Sequence, residues 1–412
     1  MPLRLLIVAD SDSYLKWAVS RAVDLPRDVD ARVVVVENAV TPSELQVKEA
    51  VNGRWPTPPS VSARHVVRQM RAGKYDAVLL ACRGPLIDLL CRRALEGLVK
   101  PPVIVVGIPG IWYPPTQLGV QWRAHADVYV VHSKRERAAL KDLVGPGAGI
   151  DVGLASLDRP LEVHGADPEG SVIFAPQALV PRTKVERVEL LRGIALAARS
   201  HPSVSFVIKL RGNLGEAQTH AEVNAFQDLA QTTPVELPPN VSFERGSLAT
   251  HLSSCRGFLT VSSTGAIEAV AVGVPALMLT DFGVDAANIN EVFADSGMTG
   301  TLDNLARLEF RLPHPEWSAD NYFHPEVDND WFDVVRERAA SSRRTILEGA
   351  SIPSYTRTAR LRQRAVALGS ADSKPVRLSM AFAAAALKWR RRAVRLVSRR
   401  MAKRSAEGDR GA

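Results

Sequence analysis

Residues 261–277 read VSSTGAIEAVAVGVPAL, and the order of residue types in this stretch decides the fold. The apolar run GFLTVSS (257–263) ends in hydroxyl side chains and reaches Gly265 two residues later. Small and apolar residues then surround one carboxylate, Glu268, before Gly273 and Pro275 lead into a second apolar run, PALMLTD (275–281). Glycine and proline punctuate, and the apolar runs are strand-length. The pattern therefore predicts strand, phosphate-sized loop, helix start and second strand.

The same rhythm extends in both directions. LRLLIVA (3–9), ARVVVVE (31–37), AVLLAC (77–82), PVIVVG (102–107) and DVYVVHS (127–133) are apolar runs separated by helix-length amphipathic segments. After a passage rich in Gly, Pro and Asp around residues 145–170, the alternation restarts with SVIFAP (171–176), VSFVIKL (204–210) and NVSFER (240–245). Strands alternating with helices imply mostly parallel sheets, so the expected fold is α/β, two tandem doubly wound Rossmann-like domains. A chain of 412 residues with 46% hydrophobic content has the length and the apolar material for two such cores.

Composition excludes several classes. Three widely spaced cysteines with no CxxC pair support neither a disulfide framework nor a zinc knuckle. The first apolar run, Leu5 to Ala9, is too short for a signal peptide, and no run approaches the roughly 18 residues of a membrane span. A cytoplasmic protein is expected. The net charge of +8 resembles a nucleic-acid signal until it is located: eleven basic residues and no acidic one lie between Ser373 and Glu407, which leaves −3 on the rest. A charge confined to one tail argues against nucleic acid as a partner.

Ligands of doubly wound sheets bind at the carboxyl ends of strands. In the second half those ends carry PQALVPRTK (176–184), KLRG (209–212), Ser262 to Gly265, and Asp281 to Asn288. Arg182, Lys184, Lys209 and Arg211 supply cationic charge, while Ser263, Thr264 and Gly265 offer hydroxyls and backbone N–H groups at a helix start; together they suit a diphosphate. The plainer alternative is that Ser and Thr only cap the helix.

SSTGAIEAVAVGVP resembles the donor-site segment of GT-B glycosyltransferases and of the related UDP-GlcNAc 2-epimerases. ADSDSYLKW, and the run from GIPGIWYPP to VVHSKRE, resemble an actinobacterial group of glycosyltransferases of undefined substrate. The GT-B resemblance covers about residues 1–365. It implies that Ser263, Thr264 and Gly265 contact donor phosphates and that Glu268 accepts hydrogen bonds from ribose hydroxyls. Ala266 and Ile267 stand where one epimerase pattern has polar residues, which favours transfer over epimerisation. The expected organisation is an acceptor domain over 1–155, a linker over 156–170 and a nucleotide-donor domain over 171–335. Helices over 336–370 then pack back toward the first domain, and a basic amphipathic tail follows over 374–404.

A general base is then sought in the first domain. Asp10, directly after the first strand, is the leading candidate, with Asp12 and His132 as rivals; a turn or helix cap is the alternative for each. DSD also resembles the metal-binding DxD of GT-A enzymes, but it follows the first strand rather than a complete nucleotide-binding unit, and no metal requirement and no cofactor are expected. PGIWYPPTQLG (109–119) reads as an acceptor surface or a rigid loop, and HPEWSADNYFHPEVDND (314–330) as a lid or a metal site, although His314 and His324 share no helical register.

In the tail, Leu378, Phe382, Ala386, Trp389, Ala393 and Val397 recur at helical spacing beside Lys388, Arg392, Arg395, Arg399 and Lys403. Such a helix would lie on an anionic membrane surface. The sequence thus points to a peripheral enzyme at the inner face of the cell membrane. Its partners would be a nucleotide-sugar donor and a glycan or lipid-linked acceptor of the cell envelope. A nucleotide-sugar epimerase, a glycerophosphate-type transferase and a catalytically silent, membrane-recruited scaffold remain the alternatives.

Overall fold

A computed structural model describes residues 2–146, 148–157, 163–210, 222, 224–341 and 356–372. The first sheet is built from β1 (Leu3–Ala9), β2 (Val29–Val36), β3 (Ser60–Val61), β4 (Ala77–Ala81), β5 (Val103–Gly107), β6 (Val128–Val131) and β7 (Asp151–Leu154). All neighbours are parallel, in the order β3-β2-β1-β4-β5-β6-β7. The second sheet comprises β8 (Ser171–Phe174), β9 (Phe206–Lys209), β10 (Val241–Glu244), β11 (Cys255–Thr260), β12 (Ala276–Leu279) and β13 (Thr299–Gly300), ordered β10-β9-β8-β11-β12-β13 and again parallel. The expected class of two tandem doubly wound Rossmann-like domains holds. The helix expected over 374–404 lies outside the described residues.

Parallel sheets require apolar cover on both faces, and the alternation of side chains along β1 supplies it. Leu6 and Val8 join one buried cluster while Leu5, Ile7 and Ala9 join the other. The second sheet is likewise covered on both faces, with Phe174 and Phe206 on one side and Ile173, Phe258 and Met278 on the other.

After the second sheet the chain returns to the first domain. The helix Trp331–Ala340 packs across β5, β6 and β7 and buries Trp331, Phe332 and Val335 on the face of the first sheet that carries Leu5 and Ile7. At about 1.5–3 kcal/mol for each large apolar side chain, this contact is worth several kcal/mol before ordering costs. Gly153 in β7 permits it: a Cβ there would stand 2.5 Å from Trp331 Cα. Asp330 fixes the crossing, since its Oδ1 accepts from Leu154 N at 2.7 Å and also pairs with Arg137. A second helix, Arg357–Leu368, buries Ala367 and Leu368 on the opposite face, where Gln363 bonds the Asp88 carboxylate.

Among the described residues, no helix is long and apolar enough to cross a membrane.

Candidate functional site

The second sheet reverses its winding between β8 and β11, and a crevice opens where their carboxyl ends diverge. Thr260 Oγ1 donates to Ala175 O at 2.8 Å and holds the two ends together. Ser262 Oγ donates to Ile289 O at 2.6 Å, so that serine is committed to the scaffold. Ser263 turns back instead, its Oγ accepting from Gly265 N at 3.1 Å. Gly265 must lack a side chain, because a Cβ there would meet Leu248 Cδ2 at 2.8 Å and Phe258 Cζ at 3.0 Å. Thr264 is left exposed at the head of the helix Gly265–Ala271, and Glu268 lies one turn further on the same side.

These residues line a cavity of about 420 Å³, with Lys209 from the end of β9 and Gln177 from the loop after β8. The opposite wall is the loop Ile108 to Ile111 after β5 of the first domain. The two domains meet closely here: a Cβ on Gly110 would lie 2.8 Å from Thr264 Cγ2. Hydroxyls, an ammonium, an amide and a carboxylate thus surround a space of ligand size, walled by apolar residues.

Five of the residues expected to hold the donor, Lys209, Ser263, Thr264, Gly265 and Glu268, share this cavity. Arg182 and Lys184 do not. Thr183 caps the helix Lys184–Ser200 through a capping box with Glu186, and both basic side chains stand exposed outside the cavity. Arg211 lies outside the described residues.

The loop after β8 is shaped by a residue the sequence reading passed over. Arg187 is 1% exposed, and its guanidinium donates to Pro181 O at 2.9 Å, Gln177 O at 3.1 Å and Ala178 O at 2.8 Å. Glu222 at 2.7 Å balances its charge. Arginine at i+3 to i+4 from a helix cap is an ordinary surface pattern, so only the enclosed carbonyls reveal its role.

A second chamber, of about 340 Å³, adjoins the first and shares Pro109, Thr264 and Glu268 with it. Its other side belongs to the first domain, with Ser13, Lys16 and Trp17 from the helix Asp12–Val23 and Glu49, Asn52 and Arg54 from the next helix and its exit.

The three expected bases stand differently around it. Asp10 does not open on the cleft mouth as the sequence suggested. It is fully enclosed, and Oδ2 accepts from Arg83 Nε at 2.9 Å and from Arg83 N at 3.1 Å. Burial raises its carboxyl above the ordinary value, opposed by the charge and hydrogen bonds of Arg83. His132 is also enclosed. Its Nε2 accepts from Trp17 Nε1 at 2.9 Å, and Nδ1 lies 2.8 Å from Ala155 O, which assigns the proton to Nδ1. Desolvation pushes its pKa down to about 3, so it is a neutral structural ring. Neither side chain lines either chamber. Asp12 lines neither chamber either, but it is partly exposed and pairs at 3.0 Å with the Nζ of Lys16, which does line the second chamber.

The loop Ile108 to Trp112 is held by Glu136. This enclosed carboxylate accepts from Trp112 N at 2.8 Å, His132 N at 2.9 Å and the Tyr322 hydroxyl at 2.8 Å. Burial raises its pKa, and the three hydrogen bonds oppose that rise. The segment 314–330, expected to be a lid or a metal site, is a wedge that buries Trp317, Tyr322 and His324. Among the described residues, no group of three or more metal-ligating side chains converges there or elsewhere.

The family model described as "Putative glycosyltransferase (DUF6716)" matches residues 5–338. No curated protein matches the sequence at a significant level. Among solved structures, the chain is similar to a "putative UDP-N-acetylglucosamine 2-epimerase" of Listeria monocytogenes, with 12% identity over 82% of this chain and 96% of that one and a TM-score of 0.52. It is similar to S. aureus MnaA solved with UDP, with 11% identity, 82% and 95% coverage and a TM-score of 0.51. It is also similar to the lipopolysaccharide outer core galactosyltransferase WaaB in its apo form, with 10% identity, 82% and 100% coverage and a TM-score of 0.50. At these identities the likeness concerns the fold, which is the GT-B arrangement expected from the sequence.

Proposed function

The chain belongs to the glycosyltransferase family that matches residues 5–338, and from that premise we propose that it moves a sugar from a nucleotide-activated donor to a cell-envelope glycan or lipid-linked acceptor at the cytoplasmic face of the membrane. The observation that carries the donor half is the cavity at the switch point of the second sheet, where Lys209, Ser263, Thr264, Gly265 and Glu268 converge. The diphosphate lies beside Lys209 and the Ser263 to Gly265 turn, and Glu268 receives the ribose hydroxyls. Uridine is the first base to test, since S. aureus MnaA, a protein of similar fold, was solved with UDP.

Sugar transfer by inversion needs a group that takes the acceptor hydroxyl proton as the glycosyl bond forms, and the group must reach solvent or substrate. Of the three candidates, only Asp12 has a partly exposed side chain, and we move the base role to it. Among the described residues lining the cavity, the positive charge that balances the departing diphosphate is supplied by Lys209, with the backbone N–H groups at the head of the helix Gly265–Ala271 beside it.

Membrane attachment is supported by the eleven basic residues between Ser373 and Glu407 and by the helical spacing of the apolar residues among them. The test is transfer of radiolabel from UDP-, GDP- and CMP-activated sugars into the lipid and polymer fractions of isolated cell envelopes. Nucleotide-dependent incorporation supports the reading. Donor binding without incorporation into either fraction removes the envelope acceptor, and the absence of both binding and incorporation supports a silent scaffold.

A further inference from the structure

The first-domain wall of the donor cavity begins a strip, Ile108 to Tyr113, that is anchored in both domains. Ile108 and Trp112 pack in the core of the first sheet, while Ile111 and Tyr113 pack against the cluster of the second that holds Phe258, Ile267 and Trp317. Trp112 N donates to the enclosed Glu136, and the Arg135 guanidinium lies 4.4 Å from the centre of the Tyr113 ring. A backbone packed from two sides yields less readily than a single side chain resting on it. Gly110 is buried within this strip, and its φ is not in the left-handed region that favours glycine. Beyond its chain neighbours, an added Cβ would meet one heavy atom within 4 Å, Thr264 Cγ2 at 2.8 Å. Among the described residues, the Thr264 methyl is thus what requires a glycine here.

Thr264 precedes the helix Gly265–Ala271 at φ −60° and ψ −21°, not in the extended conformation from which Ser43, Ser133 and Thr183 cap their helices, and its side chain makes no cap hydrogen bond. The side chain is exposed and borders the donor cavity beside Ser263 and Glu268. Methyl and hydroxyl leave the same Cβ at a fixed angle, so a methyl seated against Gly110 sets the direction of the hydroxyl. We propose that Gly110 is a positioning residue of the donor site: the gap it leaves seats the Thr264 methyl and aims the Thr264 hydroxyl at the donor phosphates. A residue of the first domain thereby shapes the phosphate contact made by the second. This rests on the donor-cavity reading above, because the aim of the hydroxyl matters only where a diphosphate lies in that cavity.

The test is a double-mutant cycle in which UDP is titrated calorimetrically into wild type, Gly110→Ala, Thr264→Ser and the double variant, with far-UV circular dichroism and the thermal midpoint as checks of the fold. In the wild-type background the added methyl turns Thr264 about its Cβ, and the loss of one hydrogen bond to a charged phosphate weakens UDP binding about 10-fold. Thr264→Ser removes the methyl and keeps a hydroxyl, so in that background Gly110→Ala weakens binding less than about twofold, the scale of additivity error in such a cycle. A loss below about twofold in the wild-type background, or an equal loss in both backgrounds, would overturn the proposal. Unfolding by Gly110→Ala in both backgrounds would overturn it too, since the strip and not Thr264 would then have yielded. UDP binding to wild type without coupling between the two positions counts against Gly110 alone, whereas wild type that binds no UDP removes the donor reading and this assignment with it.

Discussion

Tyr322→Phe removes one oxygen from a fully enclosed contact that joins the two halves of the molecule across 186 residues of sequence. The hydroxyl donates to Glu136 Oε1 at 2.8 Å, and the same oxygen accepts from Trp112 N. The ring stays packed, so the cost is that of a hydrogen bond to a buried carboxylate, about 1.5–3 kcal/mol. The sign of the pH dependence follows from linkage. Burial raises the folded pKa of Glu136, so its contribution to stability is fully present below the unfolded value and declines as pH rises through the folded value. The Tyr322 hydrogen bond lowers that pKa, and its removal raises it further. The stability lost in Tyr322→Phe must therefore be larger at pH 8 than at pH 4. Urea unfolding of both proteins at the two pH values, followed by tryptophan fluorescence and far-UV circular dichroism, measures it. A loss below about 0.5 kcal/mol at pH 8, or a loss that is larger at pH 4, would refute the reasoning.

Asp12→Asn should reduce turnover by about 100-fold or more with nucleotide affinity nearly unchanged, and turnover within a few-fold of wild type would show that Asp12 is not the base. His132, with a folded pKa of about 3 against 6.5 when unfolded, makes the fold lose stability as pH falls below 6.5, by up to about 1.4 kcal/mol per pH unit. His132→Gln should flatten the stability profile between pH 6.5 and 4.5 relative to wild type, and an unchanged slope in a urea series would contradict the neutral, enclosed ring. Full-length protein should pellet with anionic vesicles at low salt and a chain ending at Ser373 should not, at about 1 kcal/mol per engaged basic residue. Equal pelleting of both, or of neither, would remove the tail from the account.

Much of the fold was legible because its buried parallel strands are continuous apolar runs, and ten of them were found from that signal alone. Three short strands were missed. Asp151–Leu154 carries Gly153 at its centre, and the reason for that glycine is Trp331, which no local window contains. In the site, Ser263 to Glu268 was legible because one turn and one helix carry all of it. Lys209 followed from the strand-end rule. Lys184 failed that rule because the Thr183 cap starts a helix at it, and Arg182 because it stands exposed just before that cap, while Arg187 holds the preceding loop through its carbonyls. Asp10 follows its strand as expected, but Arg83 closes over it from the end of the neighbouring strand, and that contact exists only once β1 and β4 pair.

The central claim is that the cavity beside Ser263 to Glu268 holds a nucleoside diphosphate. Calorimetric titration of UDP into the wild-type protein and into folded Glu268→Ala tests it most directly. The account predicts saturable one-site binding to wild type, and affinity weaker in Glu268→Ala by roughly 1.5–3 kcal/mol, the scale of hydrogen bonds to a charged carboxylate. Equal UDP affinity in the two proteins would contradict it.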